Sequence, residues 1–229
     1  MGIGTKMGIG TKRTAKALGL VGAAATGTYL LALRPWHSRW GATDDETGTP
    51  LPGDDFVADA TLSTTRAITI AAPPLAVWAR VIQLGHEAHN PMEGPEFGDW
   101  FGFSIRSHNP HGTDGQLSLG DEVLLGPVVS GLPAFSVAVI DPGRTLVLST
   151  PGWETGSSTA TWTFALRRVG PGATRLIVRF QSQPRTLGER VMNQLVVEPL
   201  QFARERALLK GVRERAERAQ SVPRGGRRR

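Results

Sequence analysis

Ser158–Gln181 reads STATWTFALRRVGPGATRLIVRFQ, and this stretch decides the fold. Ala160, Trp162, Phe164 and Leu166 alternate with Thr159, Thr161, Thr163 and Arg167. Side chains of a strand point to opposite faces in turn, so Ser158–Arg167 is a strand with one apolar face. Pro171-Gly172 is a turn signal. Thr174–Gln181 returns with Leu176, Val178 and Phe180 on one side and Arg175 and Arg179 on the other. Two such runs joined by a short turn make an antiparallel hairpin.

Upstream, the same logic extends the sheet. Glu122–Leu125 is short and apolar, and Ala134–Ile140 alternates with Phe135, Val137 and Val139 on one face. Asp141-Pro142-Gly143 turns the chain into Thr145–Ser149. Earlier still, Ser63–Ile70 alternates, with Arg66, Ile68 and Ile70 in phase. Ala71-Ala72-Pro73-Pro74 breaks that strand, and proline suits the first turn of the helix that follows. Leu75, Trp78, Val81 and Ile82 give this helix one apolar face, and Gly85 is a stop signal. Residues 86–119 have no clean period and read as loop or short helix.

Downstream, Pro184 ends the sheet and a helix of about 35 residues follows. Leu187, Val191, Leu195, Phe202 and Leu209 form a long apolar stripe, and Pro199 should kink or divide the helix. The sheet presents one apolar face, and the last helix is the element large enough to cover it.

The order is strand, helix, irregular segment, antiparallel strands, long helix. Four stretches resemble the START-like, polyketide-cyclase-like superfamily (SRPBCC). RWGATD at Arg39–Asp44 with LPGD at Leu51–Asp54 is similar to the lead-in of a membrane-linked bacterial branch. ITIAAPPLAVW at Ile68–Trp78 resembles the family's first strand and helix start, LGDEV at Leu119–Val123 its G-D-x-V strand, and Glu198–Glu217 its terminal helix. The resemblance covers about residues 39–219. It implies an α+β helix-grip fold, a curved antiparallel sheet wrapped around a long C-terminal helix. It also implies a cavity between sheet and helix that holds an apolar molecule. It brings no catalytic residue to residues 86–115, where the chain departs from many relatives.

Composition narrows the chemistry. Hydrophobic residues make up 40% of the 229, enough for a sizeable core. There is no cysteine, which excludes disulfide scaffolds, Cys-ligated zinc and thiol catalysis. The net charge of +6 sits in the tails: residues 1–16 carry +4, and residues 185–229 carry 12 basic against 5 acidic side chains, leaving −5 between them. A solvated basic tail at 220–229 accounts for Arg224–Arg229, and no specific nucleic acid partner is implied. The doubled MGIGTK at Met1–Lys12 is too short for a structural repeat.

Ala17–Leu33 (ALGLVGAAATGTYLLAL) carries no charge and would span roughly 26 Å as a helix. A membrane anchor, a cleaved signal and a buried helix compete for it. Leu31-Ala32-Leu33-Arg34-Pro35 is a poor cleavage site, and Tyr29, Trp36 and Trp40 stand where interfacial aromatics belong, so an anchor is favoured. Four positive charges precede it, against Arg34 and Arg39 and then six acids after it, which favours an extracytoplasmic domain by a narrow margin. The expected organisation is a basic segment at 1–16, an anchor helix at 17–36, a linker at 37–60, a helix-grip domain at 61–219 and a basic tail at 220–229. The linker is rich in Gly, Pro and Asp, and Leu51, Phe56 and Val57 can dock it.

His86, His89, His108 and His111 come in two pairs three residues apart. With Glu87, Glu93, Glu96, Asp99 or Asp114 they suggest a metal or acid–base site. Pro91, Asn109 and Pro110 argue for loops, where spacing fixes no geometry, so neither metal nor cofactor is called for. No nucleophile elbow, phosphate loop or zinc-protease helix occurs.

The aromatics point elsewhere. Phe135, Trp162, Phe164 and Phe180 on the strands, Trp78 on the first helix, and Met192 and Phe202 on the last suit an apolar pocket, with Trp100, Phe101, Phe103 and Trp153 as a lid. Three functions follow. The first is a membrane-tethered module that binds a lipid or other hydrophobic small molecule. The second is a cyclase-, aromatase- or hydrolase-like enzyme using a histidine on an apolar substrate. The third is a filled scaffold.

Overall fold

The computed structural model describes residues 26–83, 103–104, 117–125 and 135–221. It divides into two units, Met1–Ser38 and Arg39–Arg229. In the first, a π-helical turn at Tyr29–Leu33 runs into helix α1, Arg34–Ser38. The Tyr29 hydroxyl meets His37 Nε2 at 3.0 Å. Among the described residues no helix is long and apolar enough to cross a membrane, and residues 17–25 of the expected anchor lie outside them.

The second unit is an α+β helix-grip arrangement. Its strands are β1 Leu62–Ile70, β2 Phe103–Ser104, β3 Glu122–Leu125, β4 Phe135–Asp141, β5 Thr145–Ser149, β6 Ala160–Gly170 and β7 Ala173–Ser182. They form one antiparallel sheet in the order β1-β7-β6-β5-β4-β3-β2. Consecutive hairpins build one side of the sheet, and β1 closes the far edge by pairing with the last strand. Strand β2 corrects the reading of residues 86–119 as loop or helix. Two residues show no period, so nothing in the local sequence announces it.

Strands β6 and β7 pair as the alternation requires, with Trp162 opposite Phe180 and Phe164 opposite Val178. In β4 the register shifts between Val137 and Val139. The bulge brings Ile140, rather than Val139, against the core.

Helix α3, Pro74–Gln83, and helix α5, Glu198–Ser221, cover the apolar face together. Val77, Trp78 and Val81 join Leu209, Val212 and Ala216 in one core with Phe135, Leu146, Leu148, Trp162, Phe164 and Leu176. The C-terminal helix runs from Leu187 to Ser221 but is not regular throughout. Thr186 caps helix α4, Leu187–Met192, by accepting from the Glu189 N–H. A π-turn at Asn193–Val197 then carries the chain into α5, the Glu198 N–H reaching back five residues to the Asn193 carbonyl. Pro199 explains the π-turn. It has no N–H for the carbonyl four residues back, and its ring would crowd that carbonyl in a regular helix.

The opposite face of the sheet is also buried. The stretch read as a linker belongs to the folded unit, which begins at Arg39. Thr43 and Glu46 form a reciprocal cap that starts helix α2, Asp44–Gly48. Leu51 and Ala42 pack with Ala67, Ala165 and Ile177 in a second small core, and Val57 is buried. Two arginines hold this strap down. Arg175 Nε and Nη2 donate to the two oxygens of Glu46, at 2.7 and 2.8 Å. Arg179 Nη1 donates to Asp54 Oδ2 at 2.5 Å, Nη2 to the carbonyls of Glu46 and Thr47, and Nε to Thr65 Oγ1. The guanidinium next to Glu46 keeps its carboxyl below the usual carboxylate value.

Two glycines allow the close approach. Gly41 has a φ of 73°, and a Cβ there would run into the Ala67 carbonyl oxygen. Gly53 has a φ of 87°, and a Cβ there would come within 2.6 Å of Val147 Cγ1.

Candidate functional site

Two adjacent rows of side chains form the part of the interior that matters here. One row runs Thr64, Phe180, Trp162, Leu148, Val137 across β1, β7, β6, β5 and β4. The next runs Arg66, Val178, Phe164, Leu146, Ile140 along the same strands. Alternation on β1 decides which residues turn inward. Thr65 faces out to receive Arg179, so Thr64 and Arg66 face in.

From above, α5 presents Glu198, Phe202, Glu205, Leu209, Val212 and Ala216 at spacings of three and four. Of these, Glu198, Glu205, Leu209, Val212 and Ala216 are buried. The C-terminal half of this stripe is apolar and closes on the core. The N-terminal half is mixed, and it lies over the Thr64 and Arg66 end of the sheet.

There the Arg66 guanidinium pairs with the Glu205 carboxylate, both side chains essentially fully buried. Gln201 Nε2 donates to the other Glu205 oxygen at 2.9 Å. The Phe202 ring sits 5.4 Å from the Arg66 guanidinium carbon, close enough for a cation–π contact. Trp40 reaches this end from the strap, its ring edge-on to Phe202 at 6.3 Å and under the Arg206 guanidinium at 5.5 Å. Burial pulls Arg204, one residue before Glu205, below the ordinary arginine value, and Glu205 opposes the shift. Thr64 is 3% exposed, and its hydroxyl has no hydrogen-bond partner among the described residues.

A buried ion pair is weak evidence for stability. Desolvation costs several kcal/mol per ion, and an apolar replacement of both partners is often neutral or stabilising. Its presence inside an aromatic-lined layer therefore marks this end as the polar part of the interior.

Of the expected site residues, Trp78, Phe135, Trp162 and Phe164 are brought together in the core. Phe180 packs against that core half-buried. Phe202 is also half-buried and meets it through Trp40. Trp162 and Phe164, neighbours on one strand face, have ring centroids 4.8 Å apart. Met192 is 56% exposed, and Leu187, Val191 and Leu195 are exposed with it. The π-turn rotates α4 relative to α5, so a stripe continuous in sequence is not continuous in space. Phe103 lies in β2 and Trp153 in a 3-10 turn, Trp153–Thr155, with only their backbone described. Trp100, Phe101 and the histidines His86, His89, His108 and His111 lie outside the described residues, as do the acids considered with them. Among the described residues, no three His, Asp or Glu side chains are grouped to hold a metal ion.

Arg66, Glu205 and Thr64 were not singled out by the sequence. The signal was present: Arg66 is in phase with Ile68 and Ile70, and Glu205 falls in the stripe between Phe202 and Leu209.

No protein-family model matches the chain, and no curated protein matches it. Solved structures do. The Zhui aromatase/cyclase from Streptomcyes sp. R1128 is 14% identical with a TM-score of 0.47, over 72% of this chain and 99% of that one. A Polyketide_cyc-like protein from Corynebacterium glutamicum is 17% identical with a TM-score of 0.39, over 74% of this chain and 99% of that one. The Aha1 dimer from Colwellia psychrerythraea is 15% identical with a TM-score of 0.37, over 69% and 97%. With overlap this partial and identity this low, none of them bears on what the chain binds.

Proposed function

We propose that the domain binds a hydrophobic small molecule or lipid between its sheet and C-terminal helix, and that residues 17–36 hold it at a membrane. The observation that carries the binding reading is the composition of the interior. Among the described residues, an aromatic sheet face meets at one end the buried Arg66–Glu205 ion pair and the unbonded Thr64 hydroxyl. Mostly apolar linings with a few placed polar groups are the signature of small-molecule sites. The course of the helix adds support. Leu187, Val191, Met192, Leu195, Val196 and Leu200 are exposed and take no part in the core that contains Trp162. The tether reading rests on the uncharged run Ala17–Leu33 and its flanking aromatics. A tether would hold the domain next to its ligands, raising their effective concentration.

The test is native mass spectrometry of the purified full chain, followed by solvent extraction of the denatured protein. A co-purifying apolar compound, released on denaturation, is the expected result. A bare mass with no uptake from a total lipid extract would sink the binding reading.

A further inference from the structure

Building on the ligand reading above, we propose that Thr64 is the polar anchor of the site and that the ligand is a neutral molecule. Its apolar body would carry one hydroxyl or carbonyl oxygen. Beside it, Arg66 and Glu205 are paired with each other. Glu205 receives Arg66 on one oxygen and Gln201 on the other, and Phe202 lies against the Arg66 guanidinium. Arg66 and Glu205 thus balance each other's charge, and a charged ligand group placed against the pair would have to compete with it.

Thr64 is different. It stands two residues from Arg66 on the inward face of β1, in register with Phe180 and, beyond it, Trp162. It is 3% exposed, and its hydroxyl has no partner among the described residues. Buried hydroxyls in native interiors are nearly always bonded, so one left open toward an aromatic layer needs an explanation. A hydroxyl both donates and accepts, so it can satisfy a ligand ketone or a ligand alcohol equally. Phe180 and Trp162 would take the ligand body by ring contact, and Thr64 would fix its orientation.

The test uses the full chain in detergent micelles and three probes of one shape: naphthalene, 2-naphthol and 2-naphthoate. Binding is read by quenching of tryptophan fluorescence. One satisfied hydrogen bond predicts about tenfold tighter binding of 2-naphthol than of naphthalene, with 2-naphthoate the weakest. Thr64→Val should bring 2-naphthol down to the naphthalene level and leave naphthalene unchanged. Thr64→Ser should keep the preference. A preference for 2-naphthol that survives Thr64→Val, or 2-naphthoate binding tightest, would overturn the assignment while leaving a hydrophobic site in place. If none of the three binds, the assignment and the ligand reading fall together. A purely structural Thr64 would reveal itself by Thr64→Val raising the melting temperature with the probe ranking untouched.

Discussion

Glu46 shows how a single residue ties the strap to the sheet. The Arg175 guanidinium, bonded to both its oxygens, lowers its pKa from the ordinary 4.5. A carboxyl whose folded pKa is depressed binds protons less readily folded than unfolded. Its contribution is therefore complete above the ordinary value and is lost as the pH falls through the lower folded value. Urea unfolding of the wild type should weaken on acidification below about pH 4.5. Glu46→Gln should be less stable at neutral pH and should lack that share of the acid dependence. Parallel pH profiles for the two proteins would mean that the pair contributes nothing to folding.

At the scale of elements, the two halves of the C-terminal helix respond differently to truncation of a leucine. Leu209 is fully buried in the main core, and Leu209→Ala should cost about 2–5 kcal/mol in chemical unfolding. Leu187 is 77% exposed, and Leu187→Ala should stay within about 0.5 kcal/mol of wild type. Equal costs would restore the continuous stripe that the spacing suggests. The strands were readable because a period of two separates faces without ambiguity, as at Trp162 and Phe164. The π-turn was not readable, because Leu187, Val191 and Leu195 at intervals of four fit a regular helix as well as one that carries a π-turn. Pro199 signalled a disturbance but not its form. The alternation placed Arg175 and Arg179 on the face opposite Leu176, Val178 and Phe180 and said nothing of their partners. They meet acids more than 120 residues away in sequence, at Glu46 and Asp54. Long-range partners of that kind leave no local trace. The same limit hid the site: Arg66 becomes meaningful only when Glu205 is known to stand above it.

For the whole molecule, the boundary of the folded unit matters most. Residues 39–229 should melt cooperatively by circular dichroism, whereas 61–229 should not, since it lacks Leu51, Asp54 and Glu46. Cell fractionation adds the tether: the full chain should sediment with membranes and 39–229 should stay in the supernatant. A full chain found wholly in the supernatant would refute the anchor. Strand β1 ends the sheet, and an end strand offers an unused row of backbone groups to any passing chain. The Ala67 N–H, on the side of β1 facing away from β7, is taken by the Trp40 carbonyl. Gly41 makes that approach possible by leaving room for the Ala67 oxygen. The lead-in thus does for the sheet what a selvedge does for cloth. A chain that loses it should fail by joining its neighbours edge to edge, accumulating as fibrous aggregate rather than as a loosened monomer.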